Sequence, residues 1–395
     1  MRQVTEAHKS EYDCKPDAIA VCPGRFHLAG EHSWFFKDKT LSMSVDLPVF
    51  IAVSTRSDGA LKFFFPQLKE RKKSSVAAMK FRREDKWANA IKAIIFGFEA
   101  CGIKFGGLNF TVWSDILPSA GFGITTAIKI ASAVALSSIY DGNSKKINED
   151  LVLRVVEIGN RQFLHCGNYI ADNYAALFSS PNSLILTDHA KMSFENIPFD
   201  FPEKKILLID ARVPRISVWN EDSLRQPENA LLLGELKQPK SSVRGGWIYE
   251  ESKTEINEVL SVVGEDTQRR LFCIMKEHQC VLDAAAALSK RDFGAFARCV
   301  NESHELMRDL YEASCPEIDW INKRVCEMAL VPDVHHLSAC CRITGKGFGR
   351  CAYTILNSEC VDEFNKKLLE YERIFGFKAL VYTVKPSGGA YILKN

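Results

Sequence analysis

Residues 23–32 read Pro-Gly-Arg-Phe-His-Leu-Ala-Gly-Glu-His. The apolar run Ile19–Cys22 leads into them, so the segment reads as a strand meeting a Pro-Gly turn that carries Arg25. Glu31 and His32 follow, a carboxylate and an imidazole side by side. Two distant segments have matching chemistry: residues 118–127, PSAGFGITTA, and residues 344–349, TGKGFG. Glycine pairs in loops are common, and each segment alone says little. Together they hold a cation, an acid, hydroxyls and glycines that allow close backbone approach, which suits nucleotide-dependent phosphoryl transfer.

A chain of 395 residues buries a large core and is expected to form two domains, with a junction near residue 200. Its 46% apolar and 25% charged residues are those of an ordinary soluble protein. A formal charge of +2 gives no electrostatic case for nucleic acid or an anionic membrane. The N-terminus is polar and has no signal-peptide core, and no apolar run reaches membrane length. Residues 116–139 contain Pro118, several hydroxyl residues and Lys129, and read as a loop followed by a buried helix. Thirteen cysteines lie scattered without CxxC spacing, which argues against zinc or a disulfide framework and for reduced thiols in the cytoplasm.

Strands are expected at 47–54, 61–65, 108–112, 183–187 and 205–210, with 67–86 charged and exposed. Helices are expected at 87–100, 125–140, 149–164, 254–264, 267–279, 281–289 and 292–314, and another opens at Pro316. Residues 234–250 read as a long exposed loop, and the end alternates strand and glycine turn at 342–356, 377–384 and 390–393. Strands followed by helices in each half argue for an α+β fold and against a doubly wound sheet.

Phosphoryl transfer needs backbone N–H groups around phosphates, a cation or metal, and a group that orients or deprotonates the acceptor. The loop at Gly121 and Gly123, with a helix starting near Thr125, offers the first. Thr125 and Thr126 could give a hydroxyl to magnesium. A plain glycine turn capped by threonine accounts for the same residues, and the loop is neither a Walker A nor a Rossmann fingerprint. Arg25 is a candidate for a transferring phosphoryl or a surface ion pair. Asp172, in the mostly apolar stretch 169–178, is a candidate base or a helix cap.

At these residues the chain resembles the galactokinases of the GHMP kinase superfamily, almost from end to end. The family signature Pro-Gly-Arg-x-Asn-Leu-Ile-Gly-Glu-His-x-Asp-Tyr is similar to residues 23–35, PGRFHLAGEHSWF. The family's WANYVKGV helix resembles residues 87–94, WANAIKAI, and its base loop resembles residues 166–178, CGNYIADNYAALF. Residues 301–317 match its late helix, and residues 342–351, RITGKGFGRC, match its third motif. The resemblance implies a two-domain GHMP kinase-like fold with the active site between the domains. It implies ATP and Mg2+ as cofactors, a small-molecule sugar as partner, and a cytoplasmic monomer or weak oligomer. By position, Arg25 would stabilise the transferring phosphoryl and Asp172 would take the proton of an anomeric hydroxyl. Glu31 and His32 would hold sugar hydroxyls, and Trp34 and Asp222 fall at or near further sugar-side positions. Trp87 would pack near adenine. Gly121, Gly123, Thr125, Thr126, Gly345 and Gly347 would surround the nucleotide. Thr125, Thr126 and Asn160 would lie at the magnesium.

The sequence departs from the pattern in several places. Trp34 replaces a sugar-reading aspartate, His27 an asparagine, and Ala90 the tyrosine near adenine. The loop glycines are displaced by one place, the magnesium glutamate falls near Asn160 with Glu157 only nearby, and the sugar-side tyrosine falls near Asp222. Lys346 and Arg350 replace small residues. Loss of a polar partner changes hydroxyl specificity by orders of magnitude. The sugar therefore need not be galactose, and the leading expectation is an ATP- and magnesium-dependent sugar 1-kinase, most simply galactokinase. Two alternatives stand beside it: a 1-kinase for a different sugar, and a non-catalytic sugar- or nucleotide-binding regulator on the same fold.

Overall fold

Val49, Ile51 and Val53 are buried in one apolar cluster, while Ala52, with Phe50 against it, belongs to another. That alternation marks a strand covered on both faces. The computed structural model describes residues 2–116, 121–142, 144, 146–236, 253–328, 337–345 and 347–393. Pro118, Ser119, Ala120, Lys346 and most of the 234–250 segment lie outside the described residues. In chain order the elements begin with α1 (Arg2–Tyr12), β1 (Ala18–Ala29), β2 (Lys39–Arg56), β3 (Ala60–Phe65), β4 (Glu70–Ser75), α2 (Ala88–Ala100) and β5 (Gly107–Ser114). They continue with α3 (Ile124–Tyr140), α4 (Glu149–Ile158), α5 (Ile170–Phe178), β6 (Ser183–Asp188), β7 (Ser193–Pro198), β8 (Lys204–Asp210), α6 (Pro227–Leu236) and α7 (Lys253–Leu260). The remainder are α8 (Glu265–Ser289), α9 (Phe293–Asp309), α10 (Pro316–Met328), β9 (Cys340–Ile343), β10 (Cys351–Asn357), α11 (Val361–Phe375), β11 (Leu380–Val384) and β12 (Tyr391–Ile392).

These elements form two compact units, and neither is one stretch of chain. The first holds Met1–Arg25, Ser44–Pro181 and Pro386–Asn395; the second holds Phe26–Met43 and Asn182–Lys385. The expected division into residues 1–200 and 201–395 treats each half as continuous. The main changeover falls instead at Pro181–Asn182, and residues 26–43 and the C-terminus each group with the opposite half. Strand pairing is the cause: Ala20 pairs with Ile392 and Val45 bridges to Pro386, long-range partners that hydropathy along the chain does not reveal.

In the first unit the strand order is β12, β1, β2, β5, β3, β4. Strands β12 with β1, β2 with β5 and β3 with β4 pair antiparallel, whereas β3 and β5 run parallel across the intervening α2. The core lies between this sheet and α2, α3 and α4, where Ile91, Ile94, Phe98, Val134 and Val155 meet Val53, Phe63 and Phe110. Helix α1 packs on β5, and its buried His8 bonds the hydroxyls of Thr111 and Ser54. Pro23 and Gly24 do not make a turn. Strand β1 runs through them, and glycine is needed at 24 because a side chain there would meet Ile116 at 2.5 Å and the Leu47 carbonyl at 3.0 Å. Arg25 is therefore held on a strand.

In the second unit the start of β2 pairs with β6, which pairs with β7, and a separate sheet has the order β11, β8, β10, β9. Helices α8, α9 and α10 pack with that sheet around Leu207, Ile274, Met307, Ile321 and Ile343. The two helices expected at 267–279 and 281–289 are one 25-residue helix, since nothing at Gln279–Cys280 breaks it. The amphipathic α11 was not anticipated, nor was β4 inside the charged 67–86 stretch. These are α+β units, as expected.

Candidate active site

Within the first unit, Asp172 is the centre of a small polar cluster. It sits in the first turn of α5, where a carboxylate is favoured by the helix dipole, and Tyr169 rather than Asp172 takes the N-cap position. Arg25 Nη2 donates to Asp172 Oδ2 at 2.6 Å, and the Thr126 hydroxyl donates to the same oxygen at 3.1 Å. Thr126 is in the first turn of α3, whose N-cap is Gly123 at φ +85°. Arg25 and Asp172 expose 11% and 15% of their side chains, so the pair is mostly desolvated yet reachable. Lys129, one turn further along α3, is buried, and its ammonium donates to Asn160 Oδ1 at 2.7 Å. Burial pulls the Lys129 pKa down, while Cys166 and Asp172 favour its charged form. Asn160 is presented by a π-helical turn, Gly159–Phe163, that continues α4.

A cavity of about 330 Å³ lies in the same unit, lined by Phe65, Phe81, Trp87, Ala90, Ile124, Thr125 and Ile128 among others. Trp87 is fixed by its indole N–H, which donates to Glu70 at 2.8 Å, and by the edge of Phe65. Ala90 stands where the family pattern has tyrosine, and the smaller side chain leaves the cavity wider. The expected nucleotide residues Trp87 and Thr125 thus line one apolar pocket with Arg83 and Lys86 in its wall.

Within the second unit, Glu31 is buried and gripped by Arg342, whose two terminal nitrogens lie 2.8 and 2.9 Å from its oxygens. Arg342 also bonds Glu277 at 2.8 Å and the Ser303 hydroxyl at 2.6 Å. Burial alone would raise the Glu31 pKa, but Arg342 holds it below the usual carboxylate range. His32 Nδ1 lies 2.8 Å from Glu221 Oε1, and its ring packs 4.5 Å from that of Tyr311. Glu221 also accepts from Tyr311 at 3.1 Å and pairs with Arg225 at 3.1 Å. Burial pushes Glu221 up, yet its bonds with His32, Arg225 and Tyr311 bring it down to about 2. Asp222 is exposed on the other side of that short turn, so the inward acid is its neighbour Glu221. Trp34 stacks on Arg225 at 5.5 Å. His27, at the asparagine position of the signature, is buried against the Ser42 hydroxyl at 2.8 Å. Gly345 and Gly347 have φ of +77° and +70°, with Gly347 tight against Ala313.

Sequence reading therefore found Arg25, Asp172, Thr126, Trp87, Glu31 and His32 in organised surroundings. It missed Lys129, Glu221, Tyr311 and Arg342, which sit among apolar residues or in motif positions read for something else. Magnesium needs hard oxygen donors, carboxylates above all. Here the Thr126 hydroxyl serves Asp172, the Asn160 oxygen serves Lys129, Glu157 pairs with Arg161 at 3.0 Å, and Thr125, exposed beside the Trp87 cavity, offers only a neutral hydroxyl. These residues do not fit a magnesium ion held by the protein.

The fold of the chain is that of the GHMP kinases. A galactokinase of Lactococcus lactis solved with galactose aligns at TM-score 0.82 with 18% identity, covering 98% of each chain. A mevalonate kinase of Methanococcus jannaschii aligns at TM-score 0.63 with 15% identity, covering 94% of this chain and 98% of that one. The galactokinase galactose-binding signature matches residues 6–55. A Treponema pallidum protein that carries a provisional galactokinase name is 40% identical over 394 residues, all of this chain and 97% of that protein. The chain belongs to the galactokinase family.

Proposed function

We propose that the protein is an ATP-dependent sugar 1-kinase acting on galactose. The observation that carries this reading is the Asp172 carboxylate bonded to Arg25 at 2.6 Å and to Thr126 at 3.1 Å, at the N-termini of two helices. Asp172 takes the proton of the anomeric hydroxyl as that oxygen forms its bond to the γ-phosphorus. The bond from the γ-phosphorus to the bridging oxygen breaks, and ADP leaves with the electron pair. Arg25 faces the charge that develops on the transferring group, and the N–H groups opening α3 add to it. The adenine would lie in the Trp87 cavity. The nucleotide is taken up as its magnesium complex from solution, the ion being part of the substrate. We place the protein in the cytoplasm, where its thirteen cysteines stay reduced. Among the described residues no helix is long and apolar enough to cross a membrane.

The test is ADP release with MgATP and a panel of free sugars, galactose, other hexoses, pentoses and amino sugars, with Asp172→Asn as control. Galactose-dependent ADP, reduced about 100-fold or more in the variant, is the expected result. Because Trp34 stands where the family reads hydroxyls with aspartate, a preference for another sugar in the panel would move the substrate while keeping the reaction. A folded protein that binds sugar or ATP and turns over none of the panel would make it a regulator.

A further inference from the structure

Lys129 is a cation that the reading above does not use. The residue is buried, 8% exposed, and its ammonium donates to a neutral amide oxygen instead of a carboxylate. Removing an ammonium from water is costly unless a charge repays it. Lys92, also buried, obeys that rule by pairing with Asp85. At Lys129 one of the three ammonium donors goes to Asn160, and among the described residues no further hydrogen-bond partner is found. Asn160 is itself fixed in orientation, because its Nδ2 donates to Asn168 at 3.0 Å and Asn168 also accepts from Asn173 at 3.0 Å. The amide oxygen thus points at the ammonium and is held there. Asp172 and Arg25 lie within electrostatic reach of Lys129. The resemblance puts an acid for magnesium near Asn160, and here Asn160 is an amide with a fixed cation seated on it.

We propose that Lys129 is a built-in counter-cation for the nucleotide's phosphates, supplying at this position the charge that the resemblance would assign to a protein-held magnesium. The inference rests on the kinase reading. Its consequence is that affinity for the triphosphate no longer depends on the metal, whatever the metal contributes to turnover. The loss of the acid and the gain of the lysine then belong to one change, since a carboxylate at 160 would neutralise the lysine and a magnesium ion would be repelled by it.

The experiment is calorimetric titration of ATP into the protein, once with magnesium and once with EDTA, alongside Lys129→Met and the double variant Lys129→Ser/Asn160→Glu. The unmodified protein should bind metal-free ATP within about 3-fold of MgATP. Lys129→Met should weaken metal-free ATP by about 10-fold or more, roughly 1.4 kcal/mol, and MgATP by less. The double variant should prefer MgATP by about 10-fold or more. Circular dichroism and melting check folding. If Lys129→Met does not fold, Lys129→Gln keeps a donor to Asn160 without the charge and should lose metal-free ATP in the same way. Tight MgATP binding that collapses in EDTA would overturn the role of Lys129 and leave the kinase reading intact, as would an unchanged metal-free affinity in the lysine variants. Failure of the folded protein to bind ATP under either condition would overturn the kinase reading and this inference with it.

Discussion

A side chain at Gly123 would place its first carbon 3.0 Å from Arg25 Cγ and 3.4 Å from Cζ. The Arg25 backbone N–H donates to Phe122 O at 3.1 Å, so the N-terminal loop of α3 is the surface on which the arginine rests. Gly123 is also at φ +85°, where an L-residue is strained. Gly123→Ala should therefore cost about 1–2 kcal/mol of stability. It should also move the guanidinium off Asp172 and slow sugar-dependent ADP release by about 10-fold or more. Melting and turnover are read on the same sample. A destabilised variant with unaltered turnover would separate the backbone role of Gly123 from the seating of Arg25.

Glu221 holds the His32 ring through Nδ1 at 2.8 Å. Glu221→Gln keeps the shape and removes the charge that orients the imidazole. The KM for the sugar should rise by about 10-fold, equivalent to the loss of one charge-assisted hydrogen bond, while the affinity for ATP stays unchanged. A drop in stability with an unaltered sugar KM would make Glu221 a structural anchor only.

Arg342 is fully buried between Glu31 and Glu277. Arg342→Met leaves two carboxylates facing each other without their shared cation. The expected loss is about 3–5 kcal/mol, read by urea unfolding. Adding Glu277→Gln should recover part of it, and a single variant as stable as the parent would show that the network carries no stability.

His8 is buried on two hydroxyls, and burial pulls its pKa from 6.5 down to about 4, against a smaller opposing effect of Asp17. Between these values the unfolded chain binds a proton that the folded one refuses. Stability is therefore complete above pH 6.5 and is lost as pH falls towards 4, by at most about 3 kcal/mol from this residue. In His8→Gln that share of the decline should vanish. Parallel unfolding curves at pH 7.5 and pH 5 decide it, an equal slope in parent and variant counting against His8.

The site was legible where one residue type carries the chemistry. Arg25 and Asp172 could be named because a cation beside glycines and a carboxylate in an apolar stretch stand out, and Trp87 because residues 87–94 resemble the family's WANYVKGV helix. Lys129 was hidden for the opposite reason: in a run of alanine, isoleucine and serine it looks like an ordinary interruption. Glu221 was passed over for Asp222 because adjacent acids on a short turn look alike until one faces His32 and the other faces water.

Local pattern was enough for the α+β class, most helices and the family, since periodicity and motifs are properties of neighbouring residues. The pairing of Arg25 with Asp172, 147 positions apart, the turn of Glu221 inward and the seating of Lys129 on Asn160 came from folding. So did the grouping of residues 26–43 with the C-terminal half. Each depends on which distant groups share a desolvated space. There the energy of a charge is set by its partner across the fold, and sequence order carries no record of that partner.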